Sequence, residues 1–151
     1  MPNTGLRYDE IQLGQELGRS VIYATKDAAL AYARVTEDLD PIYYDDAAAQ
    51  ACGYKRAVVP GGFHIQYTAM KWATGQGFYV PQGSIHVKQN YQIFQEVYHG
   101  DRLTTIVTIS DKYIKRERRY ITYRCTIMNQ REEVVAISEF TNLLAEEGLH
   151  V

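Results

Sequence analysis

Helix-forming segments crowd the first half of this chain and period-two stretches fill the second, an order that predicts an α+β fold. Two further observations narrow the prediction. From Ser84 onward apolar residues recur at every second position instead of every third or fourth. No period of 20–50 residues repeats and no stretch is low in complexity, which argues against solenoids and propellers. The 151 residues fit one domain, 1–151, and 46% apolar residues can supply its core.

In chain order, residues 1–24 read as a loose arm with Ile11, Leu13 and Leu17 around Gly14, then a short strand at 21–23. Thr25 is the expected N-cap of a first helix, with Asp27 in its first turn where the dipole favours an acid. Ala28, Ala29, Tyr32, Ala33 and Val35 lie at helical spacing. Pro41 drives Asp40 out of the α region, so this helix ends by about Glu37. Asp45 or Asp46 caps a second, short helix that Gly53 stops. Residues 58–60 form an extended approach, and Gly61-Gly62 open a third helix bearing Phe63, Tyr67 and Met70 near one face. The small residues Ala69, Ala73 and Gly75 would let that helix lie close against a sheet.

The strands follow. Ile85, Val87, Tyr91 and Ile93 alternate with His86, Lys88, Asn90 and Gln92. Leu103–Ile109 is β-branched, and Tyr120–Met128 puts Ile121, Tyr123, Cys125 and Ile127 on one face. A turn at 129–132 leads to a return strand at 134–144, and the tail 145–151 is expected to fray.

Composition excludes several function classes. A net charge of −2 gives no bulk attraction to nucleic acid or an anionic membrane. No apolar run approaches the roughly 18–20 residues that span a bilayer. The first ten residues lack a basic and an apolar region of the signal-peptide kind. Cys52 and Cys125 form no CxxC and read as small, half-buried, reduced side chains. A cytoplasmic protein without nucleic-acid or membrane partners is the expectation. Thirteen tyrosines against four phenylalanines favour interfaces and half-polar tunnels.

Four places could carry chemistry. The acidic turn Glu37-Asp38-Leu39-Asp40-Pro41 sits at a helix end, where a carboxylate can be aimed; the alternative is a solvated turn of capping aspartates. Tyr43 and Tyr44 follow it, with packing as their plainer role. Pro60-Gly61-Gly62 leaves backbone N–H groups unshielded at a helix start, suited to a carbonyl oxygen, or else is a turn that needs glycine for its backbone. Among His64, His86, His99 and His150 no pair has metal-ligand spacing, and structural hydrogen bonding is the plain reading of His86, on the more polar face of its strand. DKYIKRERRY at 111–120 carries five Lys/Arg against two acids. It is either a solvated hairpin or a surface for coenzyme A phosphates or an acidic carrier protein. No GxSxG, P-loop, GxGxxG or HExxH occurs.

Together these segments resemble the MaoC-like hydratase/dehydratase family of hot-dog proteins, whose motif has the form A-x-x-x-G-D-x-N-P-[LIV]-H, then A-x-x-x-G. Ala33 through Tyr43, then Ala49 and Gly53, match it. Tyr43, the run 58–63, and Ile85-His86 with His99-Gly100-Asp101 are similar to the N-terminal MaoC dehydratase subfamily. The likeness spans about Tyr8 to Leu144. It implies a curved antiparallel sheet wrapped around a long central helix, about Gly61–Thr74, and pairing into a dimer. It also implies a hydro-lyase of fatty acid metabolism: an (R)-specific enoyl-thioester hydratase or 3-hydroxyacyl-thioester dehydratase, or a subunit of one.

Carried over by position, Asp38 becomes the base, Tyr43 replaces the family histidine, and Gly61 and Gly62 become amide donors to the thioester carbonyl. Asp40, Pro60, His64 and His86 become candidate substrate contacts. Glu37 and Asp40 depart from the family Gly and Asn. No metal or cofactor is implied; coenzyme A or acyl carrier protein enters as the substrate's carrier. Because tyrosine titrates near 10 and histidine near 6.5, Tyr43 is a poor proton shuttle. Three readings follow: a subunit whose efficient Asp/His pair sits on a second MaoC-like partner, a homodimer in which Tyr43 or His86 supports Asp38, or an acyl-thioester-binding protein without activity. Thioester hydrolysis is disfavoured, since no acid follows Gly61-Gly62 on the expected central helix.

Overall fold

The four strand segments expected after Ser84 and a longer version of the short strand expected at 21–23 form one five-stranded antiparallel sheet in the computed structural model, which describes residues 6–63, 83–145 and 148–149. The strands are β2 (Glu16–Tyr23), β3 (Ile85–Ile93), β4 (Arg102–Lys115), β5 (Arg118–Met128) and β6 (Val134–Leu143), in the order β2-β4-β5-β6-β3. Two helices precede β3: α1 (Lys26–Val35) and α2 (Asp46–Ala51). Residues 61–63 begin a further helical turn. The expected central helix beyond it, with Tyr67, Met70, Ala69, Ala73 and Gly75, lies outside the described residues.

The inner face of the sheet is set by alternation. Leu103, Thr105, Val107 and Ile109 on β4 face Ile127, Cys125 and Tyr123 on β5, and all are buried. Burial pushes the Cys125 thiol up to about 12, whereas Cys52 is exposed. Burying an apolar side chain of this kind is worth about 1.5–3 kcal/mol, so each inward position of these strands contributes to the fold's stability.

Three expectations need correction. The N-terminal arm is not loose: Tyr8, Ile11 and Leu17 are buried in the same cluster as Ile109, Tyr123 and Phe140. The tail does not simply fray, since β7 (Gly148–Leu149) pairs with β1 (Leu6–Arg7). Val35 does not join the apolar face of α1; it is 84% exposed while Ala29 and Ala33 are buried.

A fourth correction matters for the site. β3 pairs with β6 through a bulge between His86 and Lys88. The extra residue, Val87, breaks the alternation, because one inserted residue swaps faces for everything before it. His86 therefore lies opposite Asn142 and stacks on the inward-facing Phe140, with ring centroids 5.6 Å apart. It shares a face with Gln89, Tyr91 and Ile93 and not with Lys88 and Asn90. Among the described residues no helix is long and apolar enough to cross a membrane.

Candidate active site

Two chain reversals in eight residues build the acidic turn. Thr25 caps α1 as expected, its side chain accepting from the Ala28 amide at 3.3 Å. At the other end the Asp38 amide donates to the Ala33 carbonyl (2.9 Å) and the Glu37 amide to the Arg34 carbonyl (3.2 Å). This is the Schellman closure, which needs a left-handed residue between helix and exit. Glu37 fills that place with φ 56°, where the family pattern has glycine. The closure fixes Asp38 one residue past the left-handed turn.

Pro41 then starts a 3-10 turn, Pro41–Tyr43, and the Asp40 carboxylate accepts from the Ile42 amide at 3.1 Å. The turn swings Tyr43 back so that its hydroxyl donates to Asp38 Oδ2 at 3.0 Å. Asp45 accepts from the Ala47 and Ala48 amides, and Asp46 from the Ala57 amide at 2.8 Å. Three of the aspartates here are thus committed to backbone. Asp38 is exposed, and its described side-chain bond is to the Tyr43 hydroxyl.

Burial, then the Asp38 hydrogen bond and the charges of Asp38 and Asp40, push the Tyr43 phenol up to about 12. At neutral pH it is a donor that keeps its proton. Its main chain is held as firmly as its ring. His99 Nε2 donates to the Tyr43 carbonyl at 2.9 Å, while His99 Nδ1 is buried without a partner among the described residues. The Val58 amide donates to the Ile42 carbonyl and the Val59 amide to the Val97 carbonyl. These bonds register the acidic turn against residues 58–60 and 97–99.

That registration brings the glycines to the turn. A cleft of about 250 Å³ is walled by Tyr43 and Ile42, by Val58, Val59 and Gly61, and by Ile93 to Glu96 at the end of β3, with Tyr54 beside them. Buried Pro60 makes the extended approach, and neither Gly61 nor Gly62 has positive φ. Their requirement is close packing, not backbone conformation: a Cβ on Gly61 would sit 2.9 Å from Ile93 Cδ1, and one on Gly62 would collide with the Tyr32 hydroxyl. Tyr32 itself packs edge-on against Phe63 at 5.9 Å.

The structure therefore gathers Asp38, Tyr43, Asp40, Pro60, Gly61 and Gly62 at one end of the sheet. His86 lies at the opposite end of β3, and His64 is outside the described residues. Sequence reasoning gave His99 no role; the signal was His99-Gly100-Asp101, where Gly100 takes φ 92° and Asp101 caps the Tyr98 amide at 2.9 Å. Among the described residues no three His, Cys, Asp or Glu side chains converge on a metal position.

Comparison with known proteins adds to this geometry. Residues 12–138 match the family model described as FAS1-like, dehydratase domain region. The chain is 30% identical over 125 residues to a UPF0336 protein of Streptomyces avermitilis, covering 78% of this chain and 82% of that one. Three solved structures share the fold. The MaoC-like dehydratase from Rhodospirillum rubrum superposes with TM-score 0.79 at 20% identity, over 93% and 97% of the two chains. The (R)-hydratase PhaJ1 from Pseudomonas aeruginosa gives 0.73 at 22% identity, over 95% and 88%. The HadBC 3R-hydroxyacyl-ACP dehydratase complex from Mycobacterium tuberculosis gives 0.72 at 19% identity, over 87% and 96%. With the motif now read in three dimensions, this chain belongs to the family described as FAS1-like, dehydratase domain region, and it shares its fold with a MaoC-like dehydratase and an (R)-hydratase.

Proposed function

We propose that the chain is one half of a dimeric hydro-lyase that adds water to, or removes it from, the C2–C3 bond of an acyl thioester. The observation that carries this reading is Asp38: an exposed carboxylate hydrogen-bonded by Tyr43, which itself lines a cleft together with Gly61. In the hydration direction Asp38 takes a proton from water as the water oxygen bonds to C3. Electron density moves to the thioester oxygen, where the amides of Gly61 and Gly62 stabilise it, and returns to C2 as C2 takes the proton that Asp38 holds, which restores the carboxylate. Tyr43 holds the Asp38 carboxylate and donates; it does not shuttle. Asp40 acts by capping the turn, and Pro60 by aiming the glycines.

One of the two edges of the sheet, β3, supplies the dimer. Ile85, Val87, Tyr91, Ile93 and the adjoining Phe94 are 47–60% exposed along β3, whose outer edge pairs with no described strand. Such an edge is an aggregation liability unless another strand covers it. A two-fold pairing of β3 with the same strand of a second hot-dog domain closes it. That pairing runs antiparallel, so the partner's His86 falls at the end of the joint sheet that holds this chain's Ile93 and cleft. In a homodimer the partner's His86 then complements Asp38.

A second reading is favoured by Tyr43. A phenol held near 12 is a weak acid/base at neutral pH, and losing one such group costs about 10²–10⁴ in rate. On this reading the chain is an acyl-thioester-binding subunit, and a different MaoC-like partner carries the Asp/His pair. One assay separates the two. Purified chain is expected to hydrate crotonyl-CoA, with Asp38→Asn lowering turnover about 10²–10⁴-fold. Activity appearing only with a second MaoC-like chain, and surviving Asp38→Asn, establishes the second reading and refutes the first.

A further inference from the structure

We propose that the tip of the β4–β5 hairpin, Lys115 to Arg118, is the docking surface for an acidic acyl carrier protein. It serves the cleft of the partner subunit, not that of its own chain. The inference rests on the thioester chemistry and β3 pairing proposed above.

The first support is the turn itself. Lys115 pairs with Arg118, leaving Arg116 and Glu117 as a two-residue loop with φ 50° and 61°. A hairpin loop with both residues left-handed favours Asn-Gly, since Cβ-bearing residues are strained there. Arg116 and Glu117 are present despite the turn, so their side chains, not their backbone preferences, account for them.

The second support is a division of labour among the cations. Lys112 and Arg119, at the base, lie over the Tyr8 ring at 5.2 and 5.7 Å, and Lys112 also donates to the Tyr8 carbonyl. Lys115, Arg116 and Arg118 are exposed and form no ion pair among the described residues. Stacked Tyr113 and Tyr120, with ring centroids 4.8 Å apart, stiffen the arm that carries them. The chain is net acidic at −2, so this positive tip is a segregated charge. Beside it runs a groove of about 350 Å³ lined by Ile85, Leu143 and Leu144 and, toward the tip, by Glu117, Arg118 and Arg119. Exposed cations beside a partly apolar groove suit a protein surface better than a single phosphate, which needs converging donors.

Position supplies the third support. Within one chain the tip and the cleft are at opposite ends of the sheet, roughly 25 Å apart at strand rise. Antiparallel pairing of β3 strands reverses this. The partner's tip then lies at the cleft end, about three strand spacings or roughly 15 Å to the side. A carrier protein seated there can extend its flexible phosphopantetheine arm into the cleft.

The test compares one acyl group on two carriers. Crotonyl-loaded acyl carrier protein and crotonyl N-acetylcysteamine are offered to the parent and to Lys115→Glu/Arg116→Glu/Arg118→Glu. The variant is expected to raise KM for the protein-borne substrate at least tenfold, to lose its salt dependence, and to leave kcat and the small thioester unchanged. Equal losses on both substrates, or no loss on either, overturn the proposal. An equal loss on crotonyl-CoA also overturns it, by showing that phosphates suffice.

A coexpressed mixed dimer, Asp38→Asn in one chain and the triple reversal in the other, tests the crossing. Half the parent activity on the carrier substrate is expected; none places the tip in service of its own chain and overturns the proposal. If the parent turns over neither thioester, the enzymatic reading has failed by itself. The affinity for holo acyl carrier protein then decides docking: a tenfold weakening in the triple variant upholds it, and absent binding overturns it.

Discussion

The two ends of the sheet spend backbone strain in different ways. At the cleft end, Glu37 sits at φ 56° inside a mesh of caps, and the strain positions one carboxylate. At the hairpin end, Arg116 and Glu117 sit at φ 50° and 61° with nothing built around them, and the strain positions side chains in solvent. On the function proposed above, the first end is organised around a small reacting group and the second presents charge to something large. Left-handed residues are thus uninformative alone, and their surroundings say what each is for.

The sharpest way to break that contrast is at Gly62. Gly62→Ala drives a Cβ into Tyr32 at the cleft end, and should cost about 1–3 kcal/mol in denaturant unfolding, as overpacking does. Part should return with Tyr32→Phe, which removes the colliding oxygen. Full stability in the single variant would show that the cleft wall is soft. The opposite sign is expected at the hairpin. Arg116→Asn with Glu117→Gly gives the turn its preferred residues and should stabilise by about 1–2 kcal/mol, read as a rise in Tm.

Smaller again is Glu37→Gly. It relieves the left-handed strain but frees the unfolded chain, leaving a gain of about 0.5 kcal/mol. A loss instead would mean that the Glu37 side chain stabilises the turn. The smallest effect is in pH. The Tyr43 phenol is raised from 10 to about 12, so its contribution to stability is complete below pH 10 and is lost as pH rises through about 12. Between pH 9 and 11 the parent should therefore lose slightly more stability than Tyr43→Phe, and its rate profile should show no step from Tyr43 below pH 10.

Much of the fold could be read from residue order because local chemistry decided it. Thr25, Asp45 and Gly53 cap and stop helices wherever they stand, and strict alternation placed Ile121, Tyr123, Cys125 and Ile127 inward. Asp38 and Tyr43 could be paired by motif, yet their hydrogen bond depends on two reversals whose sum is a tertiary fact. The Tyr8 and Ile11 arm was misread because its partners, such as Tyr123 and Phe140, are more than a hundred residues away. His99 is joined to the Tyr43 carbonyl across 56 positions, and no local pattern announces such a bond. Gly61 and Gly62 stand out in the sequence for their unshielded amides or their backbone freedom, whereas the contacts that exclude a Cβ there, Ile93 and Tyr32, are visible only in the fold.

The bulge at Val87 acts on β3 like a frameshift in a two-letter code. Downstream of it the inward letters are Gln89, Tyr91 and Ile93; upstream the inward letter is His86, at even parity. Pairing Val87 regularly, with no bulge, would shift the frame and turn His86 toward the opposite face, whereas deleting Val87 removes the extra letter and leaves His86 opposite Asn142. A substitution matrix scores that deletion as the loss of one aliphatic residue. Geometrically it straightens the strand and keeps the histidine on the inner wall.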